Sequence, residues 1–130
     1  ADQGRGDTGT AEGGEVMDHF NGLTPAEAER LAILAEECGE VIQVIGKILR
    51  HGYDSYHPDQ QGTKPELRFT NRKALGAELC DLFSVADIIH AVDRVPLPDN
   101  DRMTQAWGQK LRYAHHQDAG VIPAPQKEEK

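Results

Sequence analysis

The chain has few aromatic residues, few cysteines and no long apolar run. Aromatic residues make up 5% of its 130 residues, so a core must be built from Leu, Ile, Val and Ala. A core of that size is often completed by a second subunit. Cys38 and Cys80 are the only cysteines, which excludes a disulfide-rich scaffold and favours reduced packing residues in a cytoplasmic protein. Because no apolar run approaches about 18 residues, we expect no membrane span, and no signal peptide is visible.

Positive charge is also scarce. The formal net charge is −8, whereas a protein that binds a nucleic-acid polymer needs a basic surface. The sequence therefore argues against DNA or RNA as a partner. It remains compatible with a single nucleotide whose phosphates are met by metal ions.

Apolar periodicity is confined to the middle of the chain. Residues 1–14 and 119–130 lack it and are predicted to be flexible tails, which leaves one domain over residues 15–118. Helices are predicted over 24–50, 70–93 and 100–116, from capping residues and apolar stripes. The segment 51–69 is a long loop, typical of functional or disordered segments, and short helical turns in it cannot be placed. The expected fold is all-α, an antiparallel bundle of three main helices completed by oligomerisation.

The apolar stripes define the expected core. Trp107 is expected to join this core, whereas Tyr53 and Tyr56 lie on the loop and can stack on a planar ligand. His90 is expected to be partly buried and hydrogen-bonded. The expected core positions are Leu34, Val41, Val44, Ile45 and Ile48 in the first helix, Leu75, Leu79, Leu82, Val85, Ile89 and Val92 in the second, and Met103, Ala106, Trp107, Leu111 and Ala114 in the third.

Two acidic motifs interrupt these stripes. Glu37 and Glu40 are three residues apart, as are Glu78 and Asp81, so each pair leaves one face of its helix. These acids lie on or beside the apolar stripe, whereas a solvated face would carry them on the opposite side. If the first two helices pack antiparallel, the four carboxylates form one cluster.

Both motif regions lack basic residues. No Lys or Arg occurs in residues 31–46 or 74–93, and an unpaired carboxylate in a core costs several kcal/mol or more. A divalent metal is the simplest counter-charge. Ligands that are all oxygen favour Mg²⁺, with Mn²⁺ as an alternative, over iron or zinc. Glu36, on the flank of the stripe, could orient or deprotonate an attacking water.

The two motifs, in this order, resemble those of the MazG-type all-α nucleoside triphosphate pyrophosphohydrolases. The resemblance covers residues 24–116 and extends to the Lys-Ile-Leu-Arg-His-Gly stretch at 47–52 and to Thr70-Asn71-Arg72. The segment between the motifs is longer than in the most compact members, and we expect it to line or cover a base pocket.

The resemblance implies a reaction and an assembly. It implies Mg²⁺-dependent cleavage of a (d)NTP between its α- and β-phosphates, giving a nucleoside monophosphate and pyrophosphate. It further implies metal ligation by Glu37, Glu40, Glu78 and Asp81, with Glu36 as an accessory acid. Members assemble as homodimers or homotetramers.

Basic residues near the helix ends are candidates for binding the substrate's phosphates. Asn71 could hydrogen-bond the base or sugar, and the first turn of the second helix also offers backbone N–H groups. For each cation the alternative is an ordinary solvated side chain, and for Asn71 it is local capping. The candidate cations are Lys47, Arg50, Arg72, Lys73 and Lys110.

Two rival functions remain open. Related all-α folds act on dUTP or on phosphoribosyl-ATP, and the four acids do not separate these substrates. A rival of another class is a non-catalytic helical oligomerisation or regulatory module, in which the acids would pair with cations of a partner helix.

Overall fold

The computed structural model describes residues 20–97 and 99–117. Within these ranges the chain forms helices α1 (Pro25–His51), α2 (Asn71–Asp93) and α3 (Asn100–Leu111). Two 3-10 turns, Pro58–Gln60 and Pro65–Leu67, lie in the segment between α1 and α2, and each begins at a proline. The all-α class is confirmed. The predicted tails, residues 1–14 and 119–130, lie outside the described residues, as do residues 15–19 and 118 of the predicted domain.

The ends of α1 follow from its capping residues. The Thr24 hydroxyl accepts a hydrogen bond from the Glu27 N–H at 3.2 Å, and the Glu27 carboxylate accepts one from the Thr24 N–H at 2.7 Å. This reciprocal pair satisfies two donors that an uncapped helix would leave free. At the other end Gly52 has a φ of +85°, which a residue with a side chain rarely adopts, and its N–H donates to the Ile48 carbonyl.

Helices α1 and α2 form an antiparallel hairpin. At its open end, Arg30 Nε donates to Asp93 Oδ2 at 2.9 Å. At its loop end, the Asn71 side chain donates to the Gly52 carbonyl at 3.0 Å. Of the described residues, only Val44 and Ile89 are buried. Other stripe residues are half-buried around them, namely Leu34, Val41, Ile48, Leu75, Leu79, Leu82 and Val85.

Some expected core residues are exposed. Ile45 is 42% exposed and Val92 58%, because a two-helix interface covers a narrower arc of each helix than the whole apolar stripe. Trp107 and Met103 on α3 are 46% and 56% exposed. Ala106 and Ala114 are exposed as well. For these six side chains, the expectation of core burial is wrong in the single chain.

Helix α3 stands apart from the hairpin. Within residues 20–97 and 99–117, α1 and α2 are the only helices that pack closely together. Arg94, at the end of α2, adopts a left-handed conformation with a φ of +58° and redirects the chain. Helix α3 ends at Leu111, five residues before the predicted position 116, since a final turn without packing does not offset its conformational entropy.

The helices are short or polar relative to what a bilayer requires. None of those within the described ranges is both long and apolar enough to cross a membrane.

Candidate functional site

The four predicted acids meet halfway along the hairpin. One carboxylate oxygen from each of Glu37, Glu78 and Asp81 lies within 4.8 Å of the others. Glu40 lies close enough to raise the pKa values of both Glu37 and Glu78. The i, i+3 spacing places each pair on one face of its helix, and the antiparallel packing turns the two faces toward each other. We call these four residues the acid cluster.

Burial and mutual repulsion act on the acid cluster together. Burial, followed by the charges of Glu40, Asp81 and Glu36, raises the pKa of the Glu37 carboxyl. Burial, followed by the Glu40 hydrogen bond, also raises the pKa of Glu78. Both causes disfavour the ionised forms. The acid cluster is therefore an electronegative site, and an added positive charge would favour the ionised forms of Glu37 and Glu78.

Glu37 carries the clearest sign of a missing partner. Its Oε2 atom is buried and has no hydrogen-bond partner. The ion pairs found in residues 20–97 and 99–117 join Arg30 to Asp93, His57 to Asp59 and Arg72 to Asp54, and none includes a member of the acid cluster. Buried polar oxygens are normally satisfied, so this atom is an exception among the described residues.

The acid cluster is open on one side. Asp81 and Glu36 are exposed, whereas Glu37, Glu40 and Glu78 are half-buried. Glu36 lies outside the group of oxygens that approach one another, and acts on Glu37 only through its charge. A bound ion would therefore keep access to water and to a further ligand on that side, with Glu36 at its edge.

A groove of about 580 Å³ adjoins the acid cluster at the loop end of the hairpin. Lys47 and Arg50 line it from α1, and Asn71 and Ala74 from α2. Ala74 is one turn from Glu78, and Lys47 is two turns from Glu40, so the groove begins about 6–10 Å along the same faces.

The Arg50 side chain extends back along the preceding turn of α1. Its Nη1 lies 3.4 Å from the point that a Cβ at position 46 would occupy. The small size of Gly46 therefore leaves room for the guanidinium against the preceding turn of α1. With Lys47, this side chain provides positive charge at the groove.

The first turn of α2 does not offer free donors to an anion. The Asn71 and Arg72 N–H groups donate to the Ser55 and Tyr53 carbonyls at 2.9 and 2.8 Å. The N–H groups of Lys73 and Ala74 donate to the Thr70 hydroxyl and carbonyl. The expectation that these N–H groups favour phosphate is wrong for this arrangement, because two of them donate to the loop and two to the capping residue Thr70.

Arg72 also has an internal role. It donates to both carboxylate oxygens of Asp54, at 3.0 and 3.2 Å, and lies 4.6 Å from the centre of the Tyr53 ring. The Asp54 hydrogen bonds raise the pKa of Arg72 further. Substrate binding by Arg72 stays a prediction, and in this arrangement its guanidinium is engaged by Asp54 and Tyr53.

Two more cations of the loop end are engaged in the same way. Lys73 Nζ donates to the Glu66 and Arg68 carbonyls at 2.9 and 2.7 Å. Arg68 donates to the Thr63 carbonyl at 2.9 Å and covers the Tyr56 ring at 4.3 Å. The hydrogen bonds of Lys73 and Arg68 therefore stabilise the conformation of the loop. Because Arg68 covers one face of the Tyr56 ring, at most one face of that ring is free for stacking.

Other predicted residues lie away from this site or differ from expectation. Lys110 is exposed on α3, which packs against neither α1 nor α2. Cys38 and Cys80 are free and exposed, so the expectation of packing cysteines is wrong in the single chain. His90 Nδ1 is 2.7 Å from the Val95 carbonyl oxygen, hydrogen-bonded as expected, although the residue is exposed.

The sequence did not single out Gln60 and Phe69, which line the groove. Both belong to the loop, whose irregular backbone follows no periodicity. Proline at the start of each 3-10 turn was the one local signal that could have placed them.

No family model, no curated protein and no solved structure matches this chain.

Proposed function

We propose that this protein is a MazG-type nucleoside triphosphate pyrophosphohydrolase that depends on Mg²⁺, with Mn²⁺ as a substitute. The observation that carries the proposal is the buried, unpartnered Glu37 Oε2 within a set of converging carboxylates. An acidic group on an exposed surface is common without a metal. Here the half-buried position, the raised pKa values and the absence of a paired cation in the described residues support a cation from outside.

The donor set fits the proposed ion. Oxygen ligands from two or more carboxylates are what Mg²⁺ takes, and the open side leaves room for the waters that it retains. Glu37, Glu40, Glu78 and Asp81 would hold it. When bound, the ion supplies Lewis acidity toward phosphate oxygens and lowers the pKa of a bound water.

The residues around the acid cluster supply the remaining functions. Lys47 and Arg50 would offset the negative charge of the triphosphate as it approaches. Glu36 would hold the proton that leaves the attacking water. The new bond joins the water oxygen to a phosphorus at the α–β bridge, and the bond from that phosphorus to the bridging oxygen breaks, which releases the monophosphate and pyrophosphate.

A panel of nucleotides tests this function. Canonical and modified (d)NTPs, dUTP and phosphoribosyl-ATP are incubated with the full chain and Mg²⁺, and pyrophosphate is measured against orthophosphate. Pyrophosphate as the sole phosphate product is expected. Orthophosphate release, or no release from any nucleotide, would contradict the proposal.

We further propose that the assembly is a homodimer or homotetramer. Several apolar side chains of the hairpin are too exposed for a stable monomer surface, among them Ile42 at 68%, Leu49 at 82% and Phe83 at 65%. Light scattering after size exclusion measures the assembly, and a monomer at micromolar concentration would contradict it.

The exposed faces also favour one alternative function. In a non-catalytic module, a partner helix would bring Lys or Arg to the acid cluster, and metal would change nothing. The melting experiment with Mg²⁺ described below separates the two functions. The free cysteines are compatible with the reducing cytoplasm, where we place the protein.

A further inference from the structure

We propose that the groove at the loop end holds a nucleobase, and that Gln60 and Asn71 read its hydrogen-bonding edge. Gln60 Oε1 accepts a hydrogen bond from the Phe69 N–H at 2.7 Å. Asn71 Nδ2 donates to the Gly52 carbonyl at 3.0 Å. Both side chains line the groove. As a statement about the substrate, this inference rests on the proposed function.

The two internal hydrogen bonds fix which atom each amide presents. Because the oxygen of Gln60 is held by the backbone, its Nε2 remains as a donor. Because the nitrogen of Asn71 is held by the backbone, its Oδ1 remains as an acceptor. Within residues 20–97 and 99–117, neither remaining atom has a hydrogen-bond partner. Neither of them is among the buried atoms that lack a partner. The groove therefore offers one oriented donor and one oriented acceptor.

This pair selects the chemical class of the ligand. A phosphate or carboxylate offers acceptors only, and would face the Asn71 oxygen unfavourably. An ammonium or guanidinium offers donors only, and would face the Gln60 amide in the same way. The edge of a nucleobase carries a donor beside an acceptor, so it satisfies both amides.

The lining suits a flat ring. Phe69, which is 55% exposed, and Tyr56, Pro58 and Ala74 give the groove an apolar surface around the amides. A heteroaromatic ring buries its faces against such a surface while its edge keeps its hydrogen bonds.

The position of the groove agrees with a nucleotide. It lies one to two helical turns from the acid cluster, with Lys47 and Arg50 in its wall. A base in the groove would direct its sugar and phosphates past these cations toward the acids. The same distance is too great for the base to contact the acids themselves.

Nucleosides test base binding apart from hydrolysis, since they carry no phosphate and need no metal. Adenosine, guanosine, cytidine and uridine are titrated separately into the full-length ¹⁵N-labelled protein without divalent ions. We expect at least one of them to shift the side-chain amide resonances of Gln60 and Asn71. If none shifts them at millimolar concentration, the inference is wrong.

Gln60→Glu tests the oriented donor. Glutamate keeps the oxygen that accepts from Phe69 and replaces the free donor with an acceptor. Gln61→Glu is the matched control, since it makes the same change of charge on the adjacent exposed residue, which does not line the groove. We expect Gln60→Glu to lower kcat/KM for the preferred nucleotide about tenfold or more and to change the ranking of bases, whereas Gln61→Glu preserves the ranking.

The outcomes separate this inference from the proposed function. Hydrolysis with the same base ranking in Gln60→Glu and Gln61→Glu overturns the base-reading role and leaves the pyrophosphohydrolase intact. Nucleoside shifts at Gln60 and Asn71 without hydrolysis of any NTP support the base site and overturn the reaction. If Gln60→Glu unfolds, the wild-type nucleoside titration decides.

Discussion

The acid cluster and the loop end of the same hairpin differ in whether their charged side chains are paired. At the loop end, Arg72 is paired with Asp54, and Lys73 and Arg68 donate to backbone carbonyls. In the acid cluster, carboxylates contact other carboxylates, and Glu37 Oε2 contacts no donor. At the loop end, the charged side chains that stabilise the fold are paired within the chain. Charges left unpaired in a half-buried place oppose folding, and such places are where function is expected.

The largest effect is expected from removing one charge of the acid cluster. Glu37→Gln should lower pyrophosphate release by about a thousandfold, because metal stabilisation of transition-state charge contributes several kcal/mol. The metal-free protein should fold as before or become more stable, since repulsion is relieved. Steady-state kinetics and thermal melts measure the two effects.

Glu29→Gln is the matched control for Glu37→Gln, because it removes the same charge from an exposed position of α1. It should retain activity. Extensive unfolding of Glu37→Gln with full specific activity in its folded fraction would contradict the role assigned to the acid cluster.

Metal should stabilise the wild-type protein and leave Glu37→Gln nearly unchanged. A ligand that binds only the folded form adds about 2.7 kcal/mol at a hundred times its Kd, so the melting midpoint should rise with Mg²⁺ or Mn²⁺. Differential scanning calorimetry at several concentrations measures this. An unchanged wild-type midpoint would favour the non-catalytic module.

The loop end is tested by separating Arg72 from Asp54. If Arg72 acts through Asp54, then Asp54→Ala and Arg72→Ala should raise KM by similar factors, and the double variant should be no worse than either. If Arg72 instead binds phosphate, Asp54→Ala should retain a normal KM. In each of these variants the thermal melting midpoint should change by a few degrees or less, since exposed ion pairs contribute little to stability.

The two regions should respond to pH with opposite sign in the metal-free protein. Glu37 and Glu78 have raised pKa values, mainly through burial. Their contribution to stability is present below the ordinary value of 4.5 and is lost as pH rises through the raised values. Asp54 and Asp93 have pKa values lowered by hydrogen bonds from arginines. Their contribution is present above the ordinary value of 3.8 and is lost as pH falls through the lowered values.

Urea unfolding as a function of pH checks these signs. The stability advantage of Glu37→Gln over the wild type should shrink as pH falls toward 4.5, whereas the penalty of Asp93→Asn should persist there. If the stability advantage of Glu37→Gln over the wild type grew on acidification, the pKa of the Glu37 carboxyl would not be raised in the folded protein.

The smallest effect concerns a glycine beside the acid cluster. A Cβ at Gly39 would meet nothing within 4 Å, and alanine is better than glycine in a helix by about 1 kcal/mol. Gly39→Ala should therefore stabilise the protein by about that amount. Gly76→Ala, equally open on α2, is the control. Destabilisation by Gly39→Ala alone would place a partner subunit against this face of α1.

Local signals predicted the helices well where caps are strong. The capping box at Thr24, the glycine at position 52 and the Thr70 cap define the ends of α1 and the start of α2 within one residue. The end of α3 was missed, because Leu111 is followed by no comparable stop signal and the helix has no packing partner. The exposure of Ile45, Val92 and Trp107 was also missed, since periodicity shows which face is apolar and not how much of it is covered.

The amino-acid order alone determined the helical class, the helix starts and the presence of two acid pairs on apolar faces. These follow from hydrogen bonds and spacings within a few residues of one another. Only the tertiary structure decided that Glu37, Glu78 and Asp81 converge, that Arg72 pairs with Asp54, and that Gln60 and Asn71 line one groove. Each of these depends on where distant segments cross, and local propensities carry no information about that crossing.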